Sequence, residues 1–281
     1  QAKTHFLSTF ISLIAVWILT EIDKGSLVLF GTFYSLIPVL ILIMFNLISF
    51  KGKYRSTRPS WTFVKRKYFN SIFGLGIKFF LIQVAGIVLF ATDNFIIIHL
   101  FSPSEVVPYT ISHKYMGISL MVFNILISPF WSSITDAYIK KDLSWIKKSM
   151  RNLTIMIMLF FLLIILMVIF SQFFYDIWIG ELIIIKNSLT IAMAIFFLLS
   201  IIYSPFTYFV NGVGKIRLQM ILISVSAIIN IPLSIFLADC LGYGVNGVIL
   251  ASIICILPYT IICPIQYFKI INNNATGIWN Q

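Results

Sequence analysis

The residues with the most chemical potential in this chain are ionisable side chains set inside apolar stretches. Lys78, Asp93 and His99 lie in one such stretch, and His113 and Lys114 lie in the next. An ionisable group at the centre of a bilayer costs at least about 2.5 kcal/mol and usually marks a pathway or a binding site. A short segment at about 101–106 joins the two stretches, so they should pack as an antiparallel hairpin. Asp93 stands seven residues before Leu100, and Lys114 seven residues after Val107. At about 1.5 Å of rise per residue, both fall roughly 10 Å below the same surface. The two are expected to form an ion pair or to face one water-filled cavity, because an unpartnered buried charge is prohibitive. A pair that only fixes helix register is the alternative. Lys78 points broadly to the side of Asp93, about 60° around the helix from it. It lies roughly 22 Å along the axis, too far to pair. Facing a cavity, such a lysine could hold a phosphate as a point charge; facing lipid, it would snorkel to the headgroups. His113 is turned about 100° from Lys114, and His99 falls at the interface. Histidines at these positions could carry protons or simply be satisfied structural groups.

The stretches that hold these residues must be helices crossing a membrane. Of 281 residues, 60% are hydrophobic and only 10% are charged, and mean hydropathy is +1.01. Soluble domains carry roughly 45–50% apolar and about 25% charged residues. The apolar residues fall in blocks long enough for the roughly 20 residues that cross about 30 Å of hydrocarbon. A β-barrel would alternate apolar and polar residues, and runs such as Leu153–Phe170 do not alternate. The expected fold is therefore all-α, a polytopic transmembrane helix bundle. Eight spans are predicted, at about 5–20, 26–50, 69–100, 106–133, 150–172, 182–209, 217–238 and 245–268. The third and fourth exceed what a bilayer needs, so they should tilt or protrude.

Loop charge predicts the orientation. The segments 21–25, 101–105, 173–181 and 239–244 hold one basic residue, Lys24, against six acids: Glu21, Asp23, Glu105, Asp176, Glu181 and Asp239. The loop 51–68 holds seven basic residues, Lys51, Lys53, Arg55, Arg58, Lys65, Arg66 and Lys67. The loop 134–151 holds five more, Lys140, Lys141, Lys147, Lys148 and Arg151. Lys3, Lys215, Arg217 and Lys269 fall on the same side, and Lys78, Lys114 and Lys186 fall within spans. Lys/Arg-rich loops stay in the cytoplasm, so both ends of the chain are expected there. The net charge of +11 follows from this bias and needs no nucleic acid to explain it. Trp131 and Trp178 fall near span ends, as interfacial aromatics do.

Gln1–Thr20 lacks the charged n-region and cleavage pattern of a signal peptide. The chain opens on Gln rather than Met and enters a span at once, so an N-terminally incomplete protein is expected. Residues 51–68 read as a basic cytoplasmic linker between residues 1–50, two spans of one lobe, and residues 69–281, a lobe of six spans with a tail. Cys240, Cys255 and Cys263 have no metal or redox spacing and read as small buried residues. Gly74-x-Gly76, Gly212-x-Gly214 and Gly242-x-Gly244 follow no strand, so they are turn or packing glycines rather than nucleotide loops. Prolines 38, 129, 205, 232, 258 and 264 lie within or near span ends, a pattern common in transporters. With no Walker sequence and no metal cluster, no cofactor is expected.

Three groups of residues carry a family resemblance. The first is Thr92-Asp93-Asn94-Phe95-Ile96-Ile97, followed by a Pro-containing turn and Val107-Pro108-Tyr109. The second is Pro129-Phe130-Trp131 with Thr135-Asp136-Ala137-Tyr138, Lys140-Lys141-Asp142 and Trp145-Ile146-Lys147-Lys148. The third is Asn211-Gly212-Val213-Gly214-Lys215-Ile216-Arg217-Leu218-Gln219. Together, over at least residues 68–268, they resemble the Wzx-type polysaccharide flippases of the multidrug/oligosaccharidyl-lipid/polysaccharide exporter superfamily, which includes the multidrug (MATE-like) exporters. The resemblance implies a transporter of usually 12 to 14 spans in two lobes around a cationic cavity. It implies movement of undecaprenyl-diphosphate-linked oligosaccharide, an O-antigen or capsule repeat unit of lipopolysaccharide or capsule biosynthesis, across the bacterial inner membrane by alternating access. The eight spans would be the last two of the first lobe and all of the second. A lone half-cavity cannot close around such a substrate, so the chain as it stands could be inactive.

For that substrate, Lys78 and Lys114 would meet the diphosphate. Gln83, Asn94, Asn124, Tyr109 and Tyr203 would offer the sugar polar and aromatic walls. Each of the latter could instead be interhelical glue worth about 0.6 kcal/mol. Asp93 and His113 complete the expected pathway, with coupling to a proton or sodium gradient. A MATE-like cation-coupled exporter of small molecules is the nearest rival, and lysines in excess of carboxylates argue against it. A membrane polysaccharide polymerase or ligase would need a large outer loop, and the longest here is about nine residues. The chain is thus expected to be no enzyme. A scaffold or an inactive truncated product is the remaining alternative.

Overall fold

A computed structural model of the chain describes residues 2–22, 27–52, 54–60, 64–66, 69–180 and 183–281. Asp23, Lys24, Lys53, Lys67 and Glu181 lie outside the described residues, as do the side chains of Lys3 and Glu21. The described residues form helices joined by short turns and loops, with no strand among them. They divide into two compact units, Gln1–Phe69 and Asn70–Gln281.

In the first unit, α1 (Ala2–Ile22) and α2 (Leu27–Lys51) pack against each other. Thr32 and Asn46 return their side-chain donors to the carbonyls of Val28 and Leu42, four residues earlier on α2, at 2.7 and 3.0 Å. That is how an apolar environment is made tolerable for a polar side chain. A 3₁₀ turn at Arg55–Thr57 follows α2.

The second unit holds α3 (Phe69–Leu100), α4 (Pro103–Ile139), α5 (Leu143–Ile169), the short α6 (Ser171–Ile179), α7 (Asn187–Val213), α8 (Arg217–Ile235) and α9 (Val245–Ile271). A five-residue π-helical turn, Phe236–Cys240, extends α8. The centre is α7, which packs against α4, α5 and α9, while α8 packs on α9. Lipid gives apolar helices little reason to associate, so close approach of small residues carries the packing. Ala192, Ala194, Ser200, Ser204 and Gly212 of α7, and Gly247, Ala251 and Ser252 of α9, are buried accordingly. Gly212 lies against α4 so closely that a Cβ there would come within 3.2 Å of the Trp131 carbonyl oxygen. A Cβ at Gly247 would fall 2.5 Å from the backbone nitrogen of Ala238. Gly214, Gly242 and Gly244 take positive φ in the turns before α8 and α9, as expected of turn glycines.

Seven helices are long and apolar enough to cross a membrane among the described residues. The eighth predicted span, the first in the chain, shows only the shorter apolar stretch Phe6–Leu19 there. The outward surface of α5 supplies a separate argument. Met158 is 66% exposed, Leu159 61% and Leu162 58%, and water would not leave such a face uncovered. The architecture is that of a membrane protein.

Several expectations are corrected. The loop predicted at 134–151 shrinks to Lys140–Asp142, because α4 runs on to Ile139 and α5 starts at Leu143. Buried Ile134, Ala137, Ile146 and Met150 continue the apolar faces of both helices through the basic stretch. Asp142 caps α5 by accepting the Trp145 N–H at 3.0 Å, and Lys140 pairs with Asp136 at 2.7 Å. With 37 residues, α4 spans about 55 Å, well past the hydrocarbon thickness. Part of the predicted 173–181 loop is α6. Lys186, expected within the sixth span, precedes α7 instead. Cys240, expected to be buried, is exposed, whereas Cys255 and Cys263 are buried. Pro38, Pro129, Pro205, Pro232, Pro258 and Pro264 all sit within helices.

The polar tail folds back onto the α7–α8 turn. Arg217 N–H donates to the Gln281 carbonyl at 3.1 Å, and Gln266 of α9 donates to the Lys215 carbonyl at 3.0 Å. Lys269 lies over the Trp279 ring at 4.2 Å from its centroid.

Candidate functional site

Near the α3–α4 turn, three helices of the second unit meet at one carboxylate, and a fourth reaches it through Ser252. Asp93 of α3 is only 4% exposed. Its Oδ2 accepts from the Tyr109 hydroxyl of α4 at 2.5 Å and from the Ser252 hydroxyl of α9 at 3.3 Å. Ser252 in turn accepts from Asn230 Nδ2 of α8 at 2.9 Å. Tyr109, Asn230 and Ser252 are all buried. Neutral hydroxyls thus hold Asp93, and the other oxygens of the cluster, Asp93 Oδ1 and Asn230 Oδ1, are shielded from solvent without a hydrogen-bond donor.

The expected Asp93–Lys114 ion pair does not form. Among the described residues the one ion pair is Lys140–Asp136, and Lys114 is exposed. Two geometric facts explain the outcome. Helix α4 begins at Pro103, with its fixed φ at the first helical position, so Lys114 lies about 16 Å down the helix while Asp93 lies about 10 Å. Tyr109 matches the depth of Asp93, and Lys114, five residues on, is turned about 140° away from it. His113, four residues after Tyr109, shares its face. Its ring stacks on Tyr109 with centroids 6.4 Å apart and meets Phe197 edge-on at 5.0 Å.

The remaining expected residues do not converge on Asp93. Lys78 is half-buried on α3 and Gln83 is exposed. Asn94 is half-buried, with its Oδ1 shielded and unpartnered. Asn124 of α4 accepts from Ser204 of α7 at 3.1 Å, acting as an interhelical tie. Tyr203 meets Tyr259 of α9 edge-on at 4.9 Å, and Tyr203, Tyr259, Ser226 and Cys255 line a small cavity beside Leu89.

Asn230 and Ser252 were not among the expected site residues. A polar amide four residues into the apolar run Ser226–Ile235 was the available signal. A cleft of about 980 Å3 opens at the same end of the bundle, lined by Glu105, Pro108, Lys186, Tyr243 and Asn246 among others. Lys186, displaced from the span where it was expected, is the cation of that cleft. Among the described residues no group of three or more His, Cys, Asp or Glu could hold a metal ion. Comparison with models of known protein families, with characterised proteins and with solved structures finds no match.

Proposed function

We propose that the chain is part of a polysaccharide flippase of the Wzx type, moving undecaprenyl-diphosphate-linked oligosaccharide across the bacterial inner membrane. The observation that carries the proposal is the separation of charges within the spans. Asp93 is held by hydroxyls, and Lys78 and Lys114 form no ion pair among the described residues. Unpaired lysines at membrane depth are what a diphosphate requires: fixed cations where water is scarce. The order of the three sequence motifs supports the same family.

In this proposal the basic turn Lys140–Asp142 and the α7–α8 turn face the cytoplasm, and the α3–α4 turn with its cleft faces outward. Both ends of the chain are then cytoplasmic, and Lys186 joins Lys24 as the basic residues of the outer side. Residues 69–281 would form one lobe, and the linker 51–68 would join it to the spans before it. Transport would draw on a proton or sodium gradient, since the chain shows no nucleotide-binding sequence. A MATE-like exporter of cations fits less well, because lysines outnumber carboxylates within the spans.

The test is complementation of a surface-polysaccharide export defect by the gene encoding this chain. Export restored by the parent and lost in Lys114→Ala and Lys78→Ala supports the proposal. Export undiminished in both variants would remove the proposed cations from the pathway.

A further inference from the structure

We propose that the outward face of α5 binds an anionic phospholipid, with Lys147, Lys148 and Arg151 on its headgroup and the apolar stripe beyond them on its acyl chains. All three cations are exposed, and none pairs with a carboxylate among the described residues. The two acids nearest them in sequence are engaged: Asp136 pairs with Lys140, and Asp142 caps α5. Cations three and four residues apart on a helix are neighbours on its surface, so one phosphate group can meet all three.

Face and depth both fit a lipid. At about 100° per residue, Lys148 and Arg151 fall in the same arc of roughly 100° as Ile155, Met158, Leu159 and Leu162, with Lys147 at its edge. Those four apolar side chains are exposed. Ile146, Met150, Leu153 and Phe160 are buried and lie on the opposite side of the helix, where it packs in the bundle. The uncharged run Leu153–Phe170 spans about 27 Å, close to the hydrocarbon thickness. Arg151 then stands about 3 Å beyond the edge of that run, and Lys147 about 9 Å, which is headgroup depth. Charge decides between occupants. A second copy meeting this face across a two-fold axis along the membrane normal would set the three cations against themselves. A neutral lipid would leave them without a counter-ion. An anionic headgroup supplies one, worth roughly fivefold in affinity for each basic residue near it. The proposal rests on the membrane architecture and does not require the flippase assignment.

The experiment titrates the purified protein in detergent with phosphatidylglycerol or phosphatidylcholine and counts bound lipids by native mass spectrometry. One phosphatidylglycerol should be retained in preference to phosphatidylcholine, and millimolar inorganic phosphate should not displace it. The double variant Lys148→Gln with Arg151→Gln changes only exposed side chains and should weaken that binding about 25-fold. Arg55→Gln with Arg58→Gln removes the same charge from the first unit and should bind as the parent does. Equal losses in the two double variants would overturn the site, because diffuse charge would then hold the lipid. Equal retention of the two lipids would overturn it as well. So would displacement by inorganic phosphate, which would make this a site for the free anion, or dimers that retain no lipid, which would make a second copy the occupant.

Discussion

Asp93 and Lys114 sit on successive helices and end in opposite surroundings. The acid is buried among hydroxyls from α4 and α9, and the base is exposed on the far side of α4. The difference shows what a membrane protein does with a charge it keeps inside. Pairing two ions would desolvate both, and the attraction between them does not always offset that cost. Bonding a carboxylate to a phenol desolvates one. Among the described residues the lysine has no anionic partner, and under the proposed function that leaves it free for a ligand. On this view Asp93 ties helices together, and Lys114 serves substrate.

Predictions that test this contrast run from large effects to small. Gly247 lets α9 approach the π-helical turn after α8, on the two helices that carry Ser252 and Asn230. Gly247→Ala places a Cβ 2.5 Å from backbone, so the helices must separate. A loss of about 3 kcal/mol in unfolding free energy is expected in detergent denaturation, in line with overpacking of a closed interface. Tyr109→Phe keeps the ring against His113 and removes only the hydroxyl. It should cost about 1 kcal/mol, within the range of interhelical hydrogen bonds in bilayers. A neutral result there would mean that the phenol does not anchor Asp93.

Lys114→Gln should change unfolding free energy by less than about 0.5 kcal/mol, as for an exposed position away from structural contacts, while polysaccharide export falls. Equal losses of stability from Tyr109→Phe and Lys114→Gln would erase the contrast. The smallest effect belongs to the cap of α5. The Trp145 N–H, and after it the Ser144 hydroxyl, hold the Asp142 carboxyl below its ordinary range. Its folded value is depressed, so the cap is intact above the ordinary carboxylate range and weakens as pH falls through that depressed value. Faster hydrogen exchange in the first turn of α5 on acidification, absent in Asp142→Ala, is the expected sign.

Much of the helical architecture was legible in hydropathy, and the cross-helix partners were not. Runs such as Leu153–Phe170 leave no alternative to an apolar helix, and the turn at 101–102 fell where composition placed it. The segment 134–151 misled because lysines read as loop, while the buried face of Ile134, Ala137, Ile146 and Met150 kept the helix going. A single misplaced helix start, 103 in place of 106, combined with an unknown rotation about the axis to pair Asp93 with the wrong α4 residue. Ser252 bonds Asp93 across 159 positions of sequence, and no local pattern announces a contact of that separation. The polar residue types were visible, but the helix rotation that brings them together depends on packing of the whole unit.

The most direct test of the central claim follows the substrate. Membrane vesicles of known orientation, carrying the protein expressed from its own gene, would be loaded with lipid-diphosphate-linked oligosaccharide on the leaflet that faces the basic turn. Arrival on the opposite leaflet would be read by accessibility to a glycosidase. The expected result is transfer that depends on the protein, persists in Tyr109→Phe and is lost in Lys114→Gln. Equal transfer by parent and Lys114→Gln vesicles, or none above protein-free vesicles, would contradict it.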